Sequence, residues 1–153
     1  MRLIFTILTL FATTAATAQN EQDAIREVIN NLFQGMRKSD TSLIRTSFTP
    51  DAILQTVART RDGNVRVRSE VLDSFLVAVA RPHPAMLDER IQFETVKVDG
   101  DLAMVWTPYA FFIGDTFSHC GVNSFQLVRI GGNWKIQYLI DTRRKQPCAA
   151  ASK

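Results

Sequence analysis

Apolar residues in the first third of the chain recur at the spacing of α-helices. Between residues 21 and 38 they fall three and four positions apart, which places them on one helical face, and Asn20 precedes them as a suitable N-cap. A second, shorter helix is predicted around residues 43–48. We expect it to end at Thr49, because a residue that precedes a proline disfavours helical backbone.

A pair of strands and a third helix are predicted next. Residues 52–60 and 65–68 flank an Asp-Gly-Asn segment at residues 62–64, and these residue types favour a turn. Ser69 is a suitable N-cap for a helix whose apolar stripe covers residues 71–79. A Pro-His-Pro segment then ends that helix.

The rest of the chain has the composition of β-strands. Four segments rich in β-branched and aromatic residues are separated by Asp-Gly, Gly-Asp and Gly-Gly turns. These segments are residues 91–98, 102–113, 117–130 and 134–143. Helices first and a strand meander later, without βαβ alternation, predict an α+β domain in which about three N-terminal helices cover the concave face of a curved antiparallel sheet.

The turns also predict which residues face the helices. If the pairs at 131–132 and 114–115 form two-residue loops, Asn123 lies opposite Trp106 on one neighbouring strand and Ile140 on the other. The inner face is then predicted to carry Leu102, Met104, Trp106, Phe112, His119, Asn123, Phe125, Leu127, Trp134, Ile136, Tyr138 and Ile140. The outer face is predicted to carry Ala103, Val105, Tyr109, Phe111, Val122, Leu139 and Asp141. A β-bulge would reverse these assignments beyond it.

The N-terminal residues have the pattern of a secretory signal peptide. Arg2 precedes a short apolar run at residues 3–12, and an Ala-Thr-Ala motif predicts cleavage before Gln19. The run is too short to cross a bilayer. We therefore expect a signal peptide over residues 1–18, a single domain over residues 19–153, and an exported protein, periplasmic or secreted, without membrane attachment.

Composition and cysteine content limit the possible partners. The 153 residues are 46% hydrophobic and 22% charged, which is typical of a globular domain, and a formal charge of +3 gives no indication of nucleic-acid binding. Two cysteines, Cys120 and Cys148, permit one disulfide in an oxidising compartment. Such a bond requires the chain to turn back near Pro147.

Several chemistries have no support in the sequence. It contains no nucleophile-elbow, P-loop, dinucleotide-binding or Cys-x-x-Cys motif, and the His and Cys residues are not spaced as zinc ligands, so neither a cofactor nor a metal is predicted. His119 and Cys120 are neighbours on a predicted strand. Their side chains should therefore point to opposite faces, which argues against a Cys-His nucleophile pair.

Short motifs and the order of elements give a family resemblance. The segments F-T-P-D-A at residues 48–52, G-D-L-A at 100–103 and G-N-W-K-I at 132–136 resemble the nuclear transport factor 2-like superfamily, and within it the SnoaL-like and lumazine-binding proteins. The resemblance implies a cone-shaped half barrel with a pocket between helices and sheet, and a homodimer formed through the outer sheet face. It also implies isomerase, cyclase, dehydratase, binding or assembly functions, so the fold does not decide between them. The pocket Asp or Asp-His pair of the enzymes has no matching motif here.

Three polar residues on the predicted inner face form a candidate site. His119 and Asn123 lie four residues apart on one strand, and Tyr138 is diagonal to Asn123 on the next. They could hydrogen-bond a ligand, with His119 as the general base of a catalysed reaction. Trp106, Phe112 and Phe125 would supply apolar walls. The alternative is a purely structural network and an ordinary aromatic core.

Three functions follow as hypotheses. The first is an exported, non-catalytic protein that binds a small apolar or aromatic molecule. The second is a SnoaL-like isomerase, cyclase or dehydratase that uses His119, and the third is a dimeric interaction module without a ligand. A homodimer through the apolar outer face is expected in addition. Arg59, Arg61, Arg66 and Arg68 would share one hairpin face if they pair across the turn, where they either recruit an anion or extend into water.

Overall fold

The protein is described here by a computed structural model that covers residues 10–60, 62–146 and 148, with side chains from residue 19 onward. The described residues form three helices and seven strands. In chain order these are α1 (Leu10–Lys38), α2 (Thr41–Ser47), β1 (Phe48–Arg59), β2 (Val65–Val71), α3 (Leu72–Ala80), β3 (Leu87–Ile91), β4 (Thr95–Asp99), β5 (Leu102–Ile113), β6 (Thr116–Ile130) and β7 (Asn133–Thr142). None of the helices described is long and apolar enough to cross a membrane.

The strands form one curved sheet in the order β2-β1-β7-β6-β5-β3, and β4 also pairs with β5. The predicted α+β class is confirmed. The sheet is mixed rather than wholly antiparallel, because β1 runs parallel to β7. The single strand predicted at residues 91–98 is two short strands, β3 and β4, which both pair with β5 and are separated by residues 92–94.

The helices begin at different places from those predicted. Helix α1 starts at Leu10, so Asn20 lies inside it rather than at its N-cap; the alanine-rich residues before Asn20 are good helix formers. Residues 1–9 of the predicted signal peptide lie outside the described residues. Helix α3 begins after Val71 without a side-chain cap, because the strand β2 extends through Ser69.

Helix α2 is short and is held at its start by a side-chain cap. The Asp40 carboxylate accepts a hydrogen bond from the backbone N–H of Leu43 at 2.9 Å, which satisfies one of the free donors of the first turn. The helix ends at Ser47, two residues before the predicted end at Thr49, because β1 already begins at Phe48.

The core lies between the helices and the concave face of the sheet. Helix α1 contributes its predicted apolar stripe, in which Ile25 and Ile29 are fully buried. Its Phe33 ring meets the edge of Phe125 from β6, with ring centroids 6.3 Å apart. The remaining buried members come from every layer: Leu32, Met36, Ile44, Phe48, Leu54, Leu72, Leu76, Val79, Ala103, Val105, Leu127, Trp134 and Ile136.

A bulge in β6 changes the register predicted for β5 and β6. At the loop Phe112 pairs with Phe117, but Phe111 then pairs with His119, so Ser118 is an extra residue in β6. Asn123 consequently lies opposite Thr107 rather than Trp106. The predicted position of Trp106 is therefore wrong: it lies on the convex face and is 41% exposed.

A second bulge changes the pairing of β7. Leu127 pairs with Ile136 as predicted, but Gln126 pairs with Tyr138, so Gln137 is the extra residue. Beyond it Asn123 lies opposite Asp141. Asp141, which the sequence placed on the outer face, points toward the helices instead.

Because of the two bulges, the predicted face is correct for some residues and wrong for others. Six inner-face predictions are confirmed: His119, Asn123, Phe125, Leu127, Trp134 and Ile136. Six others are wrong, because the residues lie on the convex face: Leu102, Met104, Trp106, Phe112, Tyr138 and Ile140. Six residues predicted to face outward are turned inward: Ala103, Val105, Tyr109, Phe111, Leu139 and Asp141.

The arginine cluster predicted on the first hairpin does not form. Arg59 pairs with Val65, whereas Arg66 and Arg68 pair with Ala58 and Thr56. Since partners share a face, Arg59 lies on the opposite face from Arg66 and Arg68. The register differs because the connection is longer than a two-residue turn, with the Thr60 N–H donating to the Asn64 carbonyl. Arg61 lies outside the described residues.

A disulfide joins Cys120 to Cys148, with the two Cα atoms 6.1 Å apart, which confirms that hypothesis. Cys120 is fully buried, and its backbone exchanges two hydrogen bonds with Arg144, at 2.9 and 2.8 Å. The segment after β7 is thereby held against β6. The proposed turn residue Pro147 lies outside the described residues.

Replacing Cys148 by alanine should lower the free energy of unfolding by about 3 kcal/mol, because the unfolded chain regains the freedom of a closed loop. The bonded residues are 28 positions apart. Urea unfolding with and without reductant measures the effect. The natural chain should lose stability on reduction while the Cys148→Ala variant should not respond. Equal responses of the two proteins would contradict the bond.

Candidate functional site

A cavity of about 270 Å³ lies between the helices and the concave face of the sheet. Its apolar lining comes from α1, α3 and the sheet: Leu32, Phe33, Met36, Leu54, Phe75, Ala78, Val79, Leu87, Phe111 and Leu139. Its polar lining comes mostly from the strands and their ends, namely Gln55, Thr56, Glu70, Glu89, His119, Asn123, Asp141 and Arg143, and the loop after α3 adds His83. The cavity therefore has apolar helical walls and a polar side built on the sheet.

Asp141 is the centre of the polar side. It is 7% exposed, and its carboxylate accepts hydrogen bonds from Thr56 Oγ1 at 2.5 Å, Arg143 Nε at 2.7 Å and the Tyr109 hydroxyl at 3.2 Å. A buried carboxylate requires such partners. Arg143 thus balances the charge of Asp141, and three hydrogen-bond donors satisfy its carboxylate oxygens.

Tyr109 connects this carboxylate to the end of β7. Its buried hydroxyl lies 2.9 Å from the carbonyl oxygen of Thr142. Burial, followed by the negative charges of Glu89 and Asp141, raises the pKa of Tyr109 well above its ordinary value. The phenol consequently keeps its proton and acts as a donor.

Gly121 allows these groups to approach. It lies opposite Tyr109, and a Cβ atom at this position would be 1.7 Å from the Thr142 carbonyl oxygen. Any side chain here would therefore push β7 away from β6. The close approach of the strands at Gly121 keeps Tyr109 within reach of Asp141.

Glu89 is a second carboxylate on the cavity wall. It projects from β3 and accepts a hydrogen bond from Asn123 Nδ2 at 2.7 Å. Burial raises the pKa of Glu89 to about 7; the charge of Asp141 adds to the increase, while the Asn123 hydrogen bond and the Arg143 charge oppose it. Glu89 therefore changes its charge near neutral pH, as a proton carrier must.

His119 faces the same cavity from β6. Its ring lies against Phe111, with centroids 5.0 Å apart, and Nδ1 is 3.1 Å from the Ser118 hydroxyl oxygen. Burial, together with the positive charge of Arg143, lowers the pKa of His119, although Asp141 opposes this shift. The imidazole is accordingly neutral at neutral pH and able to accept a proton.

The structure brings together only part of the predicted site. His119 and Asn123 both line the cavity, and Phe125 lies in the core behind Phe33. Trp106 is on the convex face.

Phe112 and Tyr138 also lie on the side of the sheet away from the cavity. Phe112 packs against Phe117 and beneath the Arg90 guanidinium, whose carbon is 4.2 Å from the ring centroid. The Tyr138 hydroxyl donates to Gln55 Oε1 at 2.6 Å. Gln55 pairs with Ile140, so its side chain is directed to the convex face although the residue borders the cavity. Neither Phe112 nor Tyr138 lines the cavity, so the predicted ligand contacts of these two residues are wrong in position.

Sequence reasoning missed Glu89, Tyr109, Asp141 and Arg143. Glu89 had a usable signal, since Leu87, Glu89 and Ile91 alternate along one side of a strand, and a carboxylate between two apolar residues marks an unusual position. The other three depend on the bulges, which left no comparable signal. Among the residues described, no group of three or more His, Cys, Asp or Glu side chains is arranged to hold a metal ion.

The sequence also matches a known family. Residues 20–138 match the family model described as "Putative lumazine-binding". The chain belongs to this family. A search of curated proteins gives no match.

Solved structures with the same fold are numerous but distant in sequence. An NTF2-like protein with a cystatin-like fold from Novosphingobium aromaticivorans aligns with a TM-score of 0.70 at 15% identity, covering 95% of this chain and 96% of that one. An NTF2-like protein of unknown function from Shewanella baltica OS155 aligns with a TM-score of 0.66 at 18% identity, covering 83% and 96%. These similarities confirm the predicted fold, and the family match confirms the predicted resemblance to lumazine-binding proteins.

Replacing Glu89 by glutamine should remove a pH dependence of stability. The folded pKa of about 7 exceeds the ordinary value of 4.5. The contribution of the protonated Glu89 carboxyl to the free energy of unfolding is therefore fully present below pH 4.5 and is lost as the pH rises through 7. Relative to Glu89→Gln, the natural chain should therefore lose about 2 kcal/mol of unfolding free energy between pH 5 and pH 8. Urea unfolding at both pH values measures this difference.

The exposed Glu94 provides a matched control for that experiment. Glu94→Gln should keep the pH dependence of the natural chain, since its carboxylate is exposed on the surface. If Glu89→Gln behaves like Glu94→Gln, Glu89 is not the group that titrates near neutral pH.

Proposed function

We propose that this chain is an exported protein that binds a small apolar or aromatic molecule in the cavity between the helices and the sheet. The cavity is the observation on which this proposal rests. Its volume of about 270 Å³ is near the lower end of the range of ligand pockets, about 300 Å³. The family description also supports a small-molecule ligand.

The lining of the cavity has the chemistry of a binding site. Phe33, Met36 and Phe75 from the helices can enclose an apolar body, while Asn123 and His119 offer hydrogen bonds from the sheet. A few polar groups among apolar walls fix the orientation of a bound molecule. This combination supports ligand binding over a module that acts only through its surface.

Export is supported by two features of the chain. Residues 1–18 have the signal-peptide pattern, and the Cys120–Cys148 disulfide belongs to a type of bond that persists in oxidising compartments. Removal of residues 1–18 would leave every α1 residue whose burial the structure describes, and Ile25 is the first buried one among these. The mature chain would then begin at Gln19.

A homodimer through the convex face of the sheet is part of the proposal. The residues first expected there are partly turned inward, but Trp106, Tyr138 and Ile140 take their place beside Val122, and Ile53 is 49% exposed. An apolar sheet face of this kind is typical of an interface. Sedimentation at micromolar concentration tests it, and a monomer would exclude it.

A second candidate function is a proton-transfer reaction of the SnoaL-like type. The observation that favours it is that Glu89, with a pKa of about 7, and His119, whose pKa is lowered by burial, face one cavity. An enzyme that abstracts a proton from carbon would exchange hydrogen of the bound molecule with deuterated water. Exchange by the natural chain, and its loss in Glu89→Gln, would favour this function over simple binding.

Replacing Asn123 by leucine should reduce retention of the natural ligand at least about tenfold, because the hydrogen-bonding anchor is lost at similar volume. The protein is purified from its own host, and the molecules that leave it on denaturation are quantified by mass spectrometry. The intact mass from the same sample reports whether the chain begins at Gln19.

The control for this experiment is Gln126→Leu. Gln126 lies on the same strand but on the convex face, so its replacement should leave ligand retention unchanged. If Asn123→Leu alters only the melting temperature and retains as much ligand as Gln126→Leu, the polar residues of the cavity are structural.

A further inference from the structure

Three carboxylates line the cavity, and they differ in how their charge is satisfied. Asp141 is paired with Arg143 and receives two further hydrogen bonds. Glu70, on β2, is exposed and can be hydrated. Glu89 has neither arrangement, since no cation of the described residues forms a salt bridge with it and it lies on the cavity wall.

The Glu89 carboxylate has only a neutral hydrogen-bond partner in the part of the chain that the structure describes. One oxygen accepts from the Asn123 amide at 2.7 Å, and no Lys, Arg or His nitrogen of the described residues forms a salt bridge with it. An enclosed carboxylate with a single neutral donor is poorly stabilised in its charged form. A cation brought by a ligand would complete its pairing.

The surroundings of Glu89 favour a cation over an anion. Tyr109 from β5 and His119 from β6 are neutral near pH 7, and Arg143 is already paired with Asp141. On the helical side the cavity is lined by apolar groups, including Phe33 and Met36 from α1. The Arg37 guanidinium of α1 donates to the Glu89 carbonyl oxygen at 3.4 Å, but its charge is paired with Asp88. The ionised cavity wall therefore carries an excess of negative charge next to an apolar space.

We infer that the cavity accepts an apolar ring or chain that carries a protonated nitrogen, an amine or amidine, whose N–H groups donate to Glu89. This inference rests on the proposed ligand-binding function and adds a chemical class to it. The apolar body occupies the space below α1 and α3. The protonated nitrogen donates hydrogen bonds to the part of the Glu89 carboxylate that the Asn123 amide leaves free.

Three probes with one apolar body and different head groups test the inference: phenethylamine, phenethyl alcohol and phenylpropionate. Their affinities are measured by following the NMR signals of His119 and the Asn123 side chain. Phenethylamine should bind at least about tenfold more tightly than the alcohol at pH 8, the factor expected from one charge-assisted hydrogen bond. Phenylpropionate should bind most weakly.

The dependence on pH identifies the group responsible. Since Glu89 has a pKa of about 7 and the amine stays protonated, affinity for phenethylamine should rise about tenfold between pH 6 and pH 8. Calorimetry in buffers of different protonation enthalpy should detect proton release on binding at pH 7. Both measurements use the natural chain and depend on no variant.

Variants separate Glu89 from the other titrating groups. Glu89→Gln should bind phenethylamine and phenethyl alcohol equally, and any pH dependence that remains reports His119. Glu94→Gln should behave like the natural chain. An amine preference that survives in Glu89→Gln would overturn the inference.

The outcomes distinguish this inference from the proposed function. If the alcohol binds in the cavity and the amine has no advantage, or if phenylpropionate binds best, the cation is excluded and ligand binding stands. If none of the three probes shifts the cavity signals, both proposals fail.

Discussion

Successive side chains of a β-strand point to opposite faces, so one extra residue reverses which side chains of paired strands share a face. Ser118 and Gln137 are the extra residues in this sheet. Ser118 allows Tyr109 to face the helices together with His119. In β7, Ile136 already faces the core, and the extra residue Gln137 makes Asp141 face inward as well. Every polar contact of the cavity depends on these two positions.

The polar network explains why the bulges are tolerated. Tyr109 arrives from β5 and Asp141 from β7, and they meet across β6 because Gly121 leaves room for the Thr142 carbonyl. An unbulged sheet would turn Trp106 and Ile140 inward in their place, so the carboxylate at the centre of the polar side would be lost. The two bulges interrupt the regular hydrogen bonding between strands at two positions. In return they place hydrogen-bonding groups inside an otherwise apolar cavity.

The sequence allowed prediction of those features that depend on local patterns. The apolar stripe at Ile25 and Ile29 has the helical period whatever its neighbours are, and the Gly131-Gly132 loop adopts the positive φ values that such a turn requires. Bulges carry no such pattern, because Ser118 and Gln137 are ordinary strand residues in composition. The prediction of Trp106 and Tyr138 as cavity residues failed for this reason alone. The predictions for His119 and Asn123 were correct because both lie on β6, the strand from which the register of its neighbours was derived.

The parallel pairing of β1 with β7 has a consequence for the order in which the molecule is assembled. It joins residues far apart in the chain, such as Ile53 and Tyr138, and β1 has no other partner than its own hairpin strand until β7 exists. Contacts of such large sequence separation form slowly, since loop closure precedes any gain from pairing. During synthesis Leu54, which is buried and paired with Leu139 in the folded protein, must therefore wait for this partner until β7, the last described strand, has emerged.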